Sequence, residues 1–170
     1  MTKTRGELAF EAALELVDRF GLAPFAAGPQ TAESVMALER RLNVGLPPSY
    51  KAMLRQFGTI SFGGVEVYGL ARFGGLDAQS IPNVVFATES EQAAGCITPS
   101  MVHVMASGYG PIYVLDCSEP DGFGEVPIYE IALGGVAQGR DRLAPSFGEF
   151  ILAEVERLVR DDYAEAEPLP

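Results

Sequence analysis

The chain has 170 residues, nearly half of them apolar and about a fifth charged, with a formal charge of -11 and two cysteines. That length suits one domain, residues 1–170, able to build a core without metal or disulfide. No apolar run approaches the ~18 residues that cross a bilayer, the N-terminus lacks the unbroken apolar segment of a secretory signal, and two cysteines make no disulfide framework; a soluble, cytoplasmic protein is the expectation.

Phe10, Ala13, Leu14, Val17 and Phe20 recur at helical spacing before Gly21, which predicts a first helix, an N-terminal extension over residues 4–21. "LAPFAAGPQ" is a turn-rich connection. Thr31 then caps a second helix with Val35, Leu38 and Leu42 inward and Glu33 in its first turn. In "GLPPSYKAMLRQFG" the prolines suit a helix entrance, and Tyr50, Met53, Leu54 and Phe57 share one face before Gly58. The period then changes. "VEVYGL", "MVHVMA", "IYVLD" and "VPIYEI" read as short strands separated by turn residues, and the expectation is that all four share one sheet. "IPNVVFATESEQAAG" suits either a strand or a helix, with the helix preferred. Ser146 and Glu149 form an S-x-x-E box opening a last helix with Phe147, Phe150, Ile151, Val155 and Leu158 inward, and residues from about 162 to 170 form a frayed tail. Helices first, strands in the middle and a helix last predict an α+β domain: a largely antiparallel, twisted sheet packed against N-terminal helices and a C-terminal helix.

The charge is unevenly spread. Residues 1–72 hold eight Lys or Arg against seven Asp or Glu, and residues 140–170 hold four against eight. Between Arg72 and Arg140 there is no Lys or Arg, yet Asp77, Glu89, Glu91, Asp116, Glu119, Asp121, Glu125 and Glu130 lie there. Such a field repels nucleic acid and anionic lipid, whose capture depends on basic side chains, so neither is an expected partner. It would steer a cationic protein instead. The plainer alternative is that it keeps the protein soluble.

Catalytic combinations are scarce. His103, the only histidine, alternates with Val102 and Val104, which puts it on the opposite sheet face. A Cys117–His103 nucleophilic pair oriented by Asp116 is conceivable on neighbouring strands, without a supporting signature; an ordinary sheet histidine is the simpler reading. Two scattered cysteines and one histidine make no zinc motif. Asp116, Glu119, Asp121 and Glu125 offer oxygen ligands for calcium but miss the EF-hand spacing. Paired carboxylates could also serve glycoside hydrolysis, in a chain with no tryptophan for a sugar platform. The glycines of "GYGP", "GFGE" and "LGGVAQG" match no phosphate-binding fingerprint. The expectation is a non-enzyme without cofactor or metal.

One longer stretch is more specific. "SVMALERRLNVGLPPSYKAMLRQFGTISFGGVEVYGL" combines a helix bearing Glu39 and Leu42 with Leu46, Pro47, Tyr50, Leu54, a glycine turn and a strand ending at Tyr68 and Gly69. It is followed by the strand, acidic turn, strand unit "YVLDCSEPDGFGEVPIYEI" and the Ser-Phe-x-x-Phe helix "LAPSFGEFILAEVERL". In this order the elements resemble the SUKH superfamily, which includes bacterial immunity proteins and the yeast Smi/Knr-type cell-wall regulators. The resemblance covers roughly residues 31 to 158, and departs from the family's common Asn-Gly-Gly turn at "FGTISFGG". It implies a SUKH-like fold and a binding protein that neutralises a polymorphic toxin, such as a nuclease with a basic cleft, through an acidic surface; the alternative is a regulatory or scaffolding module. On that implication the contact residues are Asp77, Asp116, Glu119, Asp121 and Glu125, with Tyr109 and Phe123 as aromatic anchors. Glu39 and Tyr50 read instead as structural, Glu39 bonding a neighbouring helix terminus and Tyr50 lying in the core.

Overall fold

A computed structural model describes residues 2–22 and 24–165, with side chains through Asp161. The first helix, α1 (Arg5–Arg19), opens with a capping box in which Thr4 accepts from the Glu7 N–H and Glu7 accepts from the Thr4 N–H. It buries Phe10, Ala13 and Val17 in the same core as the rest of the chain. A two-residue strand, β1 (Phe25–Ala26), leads to α2 (Ala32–Leu42), capped by Thr31. α3 (Pro48–Phe57) starts at a proline and ends at Gly58, whose φ of 71° needs a residue without a Cβ.

The strands depart from the expectation of one sheet. β1, β2 (Ile60–Phe62) and β3 (Val65–Val67) form a three-stranded antiparallel sheet, so "VEVYGL" belongs there and not with the later strands. β4 (Met101–Ala106), β5 (Ile112–Asp116), β6 (Ile128–Ile131) and β7 (Arg140–Ala144) form a second sheet in chain order. The two sheets meet at β4, where the register shifts between His103 and Met105. That bulge leaves Val104 out of the pairing with β5 and turns its carbonyl to the Tyr68 N–H, 2.8 Å away. The two sheets are stitched there.

α4 (Val84–Ala93), capped by Asn83, packs against β4 and resolves "IPNVVFATESEQAAG" in favour of the helix. α5 (Phe147–Glu165) closes the fold, the Glu149 N–H donating to Ser146 and the Ser146 hydroxyl to the Glu149 carboxylate. The expected frayed end overlaps its last turn, and residues 166–170 lie outside the described residues. The result is an α+β fold. Phe10, Tyr50 and Phe147 meet edge-on or tilted at its centre, with ring centroids 5.8 and 5.2 Å apart, where α1, α3 and α5 cross. Among the described residues no helix is long and apolar enough to cross a membrane.

Candidate functional site

The acidic segment forms the loop from Asp116, at the end of β5, to Pro127, before β6. Its four carboxylates do not form a uniform surface. Asp116 is 2% exposed and accepts from the Ser118 N–H (3.0 Å), the Ser118 hydroxyl (2.6 Å), the Ser100 hydroxyl (3.3 Å) and Arg140 (3.3 Å). Arg140 comes from β7 and lies over the Tyr129 ring at 4.7 Å, with its other nitrogen 3.8 Å from Glu119. Glu119 also accepts from the Tyr129 hydroxyl at 3.0 Å.

Glu125 is likewise 2% exposed, and no Lys or Arg reaches it among the described residues. Its compensation comes from two hydroxyls and one backbone N–H. The carboxylate accepts from the Ser49 N–H (3.0 Å), the Ser49 hydroxyl (2.7 Å) and the Thr4 hydroxyl (2.5 Å), and the Ser49 hydroxyl in turn accepts from the Gly148 N–H (3.2 Å). Gly6, Ser49 and Gly148 are the second residues of α1, α3 and α5. The starts of α1 and α3 thus hold the Glu125 carboxylate directly, through Thr4 and Ser49, and the start of α5 is tied to it through the Ser49 hydroxyl. The glycines permit it: a Cβ on Gly6 would stand 2.6 Å from the Glu125 carboxylate, and one on Gly148 would stand 1.8 Å from the Gly6 carbonyl oxygen.

Asp121 shapes the tip. Its Oδ1 accepts from the N–H groups of Phe123 (2.8 Å) and Glu125 (3.0 Å), folding 121–125 into a tight turn. Phe123 projects from that turn, 78% exposed. The anchored loop thus presents an exposed aromatic ring two residues after Asp121.

Two of the expected contact residues are corrected by this geometry. Asp116 and Glu125 face inward, and their carboxylates are consumed in holding the loop, so neither can touch a partner. Nor do the others converge on one face. Asp77 pairs with Arg41 at 3.1 Å, beside Glu89, which the same guanidinium binds at 2.7 Å. Tyr109 sits in the β4–β5 hairpin, at the opposite end of β5 from the acidic loop, and donates to Glu130 at 2.6 Å. Only Glu119, Asp121 and Phe123 are together. Sequence reasoning missed Thr4, Ser49, Tyr129 and Arg140; the T-x-x-E at Thr4 and the glycines in the first turns of two helices were the available signals.

The conceivable catalytic group does not assemble. His103 is buried against the Tyr68 ring at 5.1 Å, its Nε2 donating to the Met105 carbonyl at 3.1 Å and its Nδ1 without a hydrogen-bond partner among the described residues. Burial holds it below the ordinary histidine value, against a smaller opposing pull from Glu91. Burial, with Asp116 and Glu39 adding to it, pushes the Cys117 thiol up to about 12, the reverse of what a nucleophile needs. Among the described residues no group of three or more His, Cys, Asp or Glu side chains is arranged to hold a metal ion.

Glu39 and Tyr50 take the structural roles expected of them. Glu39 accepts from the Leu46 N–H at 2.8 Å, fixing the approach to α3, and Tyr50 is fully buried with its hydroxyl donating to the Tyr68 carbonyl at 2.7 Å. Burial raises the Tyr50 hydroxyl far above its usual value.

A family model described as SMI1-KNR4 cell-wall, SUKH_5, matches residues 14–156. The chain belongs to the SUKH superfamily. The match runs from the middle of α1 into α5 and so takes in both sheets, the acidic loop and the Leu46–Tyr50 segment. No curated protein matches the chain closely enough to count as a relative. Within this SUKH domain the acidic loop is an anchored projection whose buried carboxylates serve the fold.

Proposed function

We propose that this SUKH domain is an immunity protein that binds and neutralises a polymorphic toxin, a nuclease with a basic cleft being the class its charge fits, and that it acts by binding without catalysis of its own. The observation that carries the reading is the loop tip. Phe123 is held out in solvent on a turn closed by Asp121 and fixed at its base by the buried hydrogen bonds of Glu125 with Ser49, so little conformational freedom is lost when a partner closes on it. Glu119 and Asp121 are exposed in the same loop, and a net charge of -11 would speed encounter with a basic surface. Family membership supports a protein-binding role in general.

The test is a pull-down with the product of the adjacent gene, followed by growth rescue in cells expressing that product. Phe123→Ala is expected to weaken capture about tenfold or more, and adding Glu119→Lys and Asp121→Lys to abolish rescue. Unchanged affinity in the triple variant would overturn the assignment of the tip. The family's cell-wall description supports a second reading, a regulatory module that binds a cellular protein. Capture of a non-toxic partner by the same loop, with no growth protection, would select it.

A further inference from the structure

The four-stranded sheet has a second exposed end, where the β4–β5 hairpin and the β6–β7 connection lie side by side. A Cβ on Gly110 of the first would stand 3.5 Å from Leu133 of the second, and Tyr109 and Leu133 are 69% and 77% exposed. Behind them is a half-enclosed recess of about 120 Å³. Ile112, Ile131 and Leu133 supply apolar wall, while Glu91 of α4 and Cys96 supply its polar edge. Gly135 keeps the connection close: its φ is 105°, and a Cβ there would stand 2.8 Å from the Cys96 Cα. At roughly 30 Å³ per water the space equals about four waters, comparable to an extended side chain of five heavy atoms.

Glu91 is the one carboxylate lining the recess. It lies in the stretch of chain that has no Lys or Arg, and none pairs with it among the described residues. Its titratable neighbours are the Cys96 thiol, Tyr68 and His103, all of which are neutral at pH 7 and bring no positive charge. An apolar-walled slot whose single carboxylate is met by the Cys96 thiol and by no cation suits a side chain with an aliphatic stem and a compact cationic head.

We propose that this recess is a socket for a lysine side chain of a partner protein, the stem lying against Ile112, Ile131 and Leu133 and the ammonium meeting Glu91. The socket rests on the reading above that the partner is a basic protein, and it adds a second contact at the far end of the sheet from Phe123.

The test uses the full chain and n-butylammonium, a lysine side chain without a backbone, followed by amide chemical shifts. Saturable shifts are expected at Gly110, Gly134, Gly135 and Cys96, with affinity roughly tenfold weaker for Glu91→Gln and for 1-butanol on the native chain. An otherwise unchanged Glu91→Gln spectrum shows that the variant is folded. Equal binding of 1-butanol, equal binding to Glu91→Gln, or no saturable shift would each overturn the socket. No toxin enters this measurement. Its failure leaves the loop tip standing, whereas failed growth rescue overturns the immunity reading and leaves the socket as measured.

Discussion

The two ends of the four-stranded sheet carry charge of the same sign and handle it in opposite ways. At the Asp116–Pro127 end the negative groups are largely spent inside the molecule: Asp116 on Arg140 and two serines, Glu125 on Thr4 and Ser49, Asp121 on backbone N–H groups. At the Tyr109–Leu133 end, Glu91 and Glu130 meet no arginine or lysine among the described residues. The run that looks most acidic in the sequence is therefore the better neutralised. Net charge describes the field available to a partner only after the carboxylates used as internal acceptors have been set aside.

That contrast can be broken at its strong end first. Gly148→Ala is expected to destabilise by about 3 kcal/mol or more, because the added Cβ meets the Gly6 carbonyl, a backbone atom that cannot swing aside. Glu125→Ala should cost about 2 to 3 kcal/mol by urea unfolding at pH 7, since it strands the Ser49 N–H and two hydroxyls in a buried site. A loss below about 1 kcal/mol in either would show that the three helix starts do not depend on one another. Arg140→Gln should cost less, about 1 kcal/mol, because the guanidinium is 43% exposed and Asp116 keeps its serine donors.

The buried histidine sharpens the comparison through pH. Its folded value lies below the ordinary 6.5, so the unfolded chain takes up the proton first. Stability from this group is complete above pH 6.5 and is lost as the pH falls through the folded value; His103→Gln should flatten that part of the stability profile, measured by unfolding midpoints between pH 8 and 5. The smallest effect belongs to Phe123→Ala, which should leave stability within about 0.5 kcal/mol while altering partner capture. A large loss of stability there would mean that the ring is part of the core.

Four of the five helices were legible because each buries a stripe that recurs at helical spacing, from Phe10, Ala13 and Val17 to Phe147, Ile151 and Val155, whereas α4 buries the adjacent Val84 and Val85, which suit a strand as well. The sheet boundaries were not. β1 is two residues long, β2 three, and β7 reads "RDRLA" with no apolar alternation, so their pairing is set by distant neighbours and leaves little local pattern. The link between the two sheets rests on one bulged residue, Val104, whose carbonyl takes the Tyr68 N–H. Nor could composition separate Glu125 from Glu119. What distinguishes them is the convergence of Thr4, Ser49 and Gly148, residues 121, 76 and 23 positions away in the chain.

The same convergence governs the order in which the molecule can be completed during synthesis. The Thr4 end of α1 emerges from the ribosome early, but its carboxylate partner is 121 residues downstream. The Gly148 N–H that finishes the arrangement arrives later still. A nascent chain halted before residue 148 holds a glutamate with no finished niche to enter, so locking of α1 must await synthesis of the start of α5.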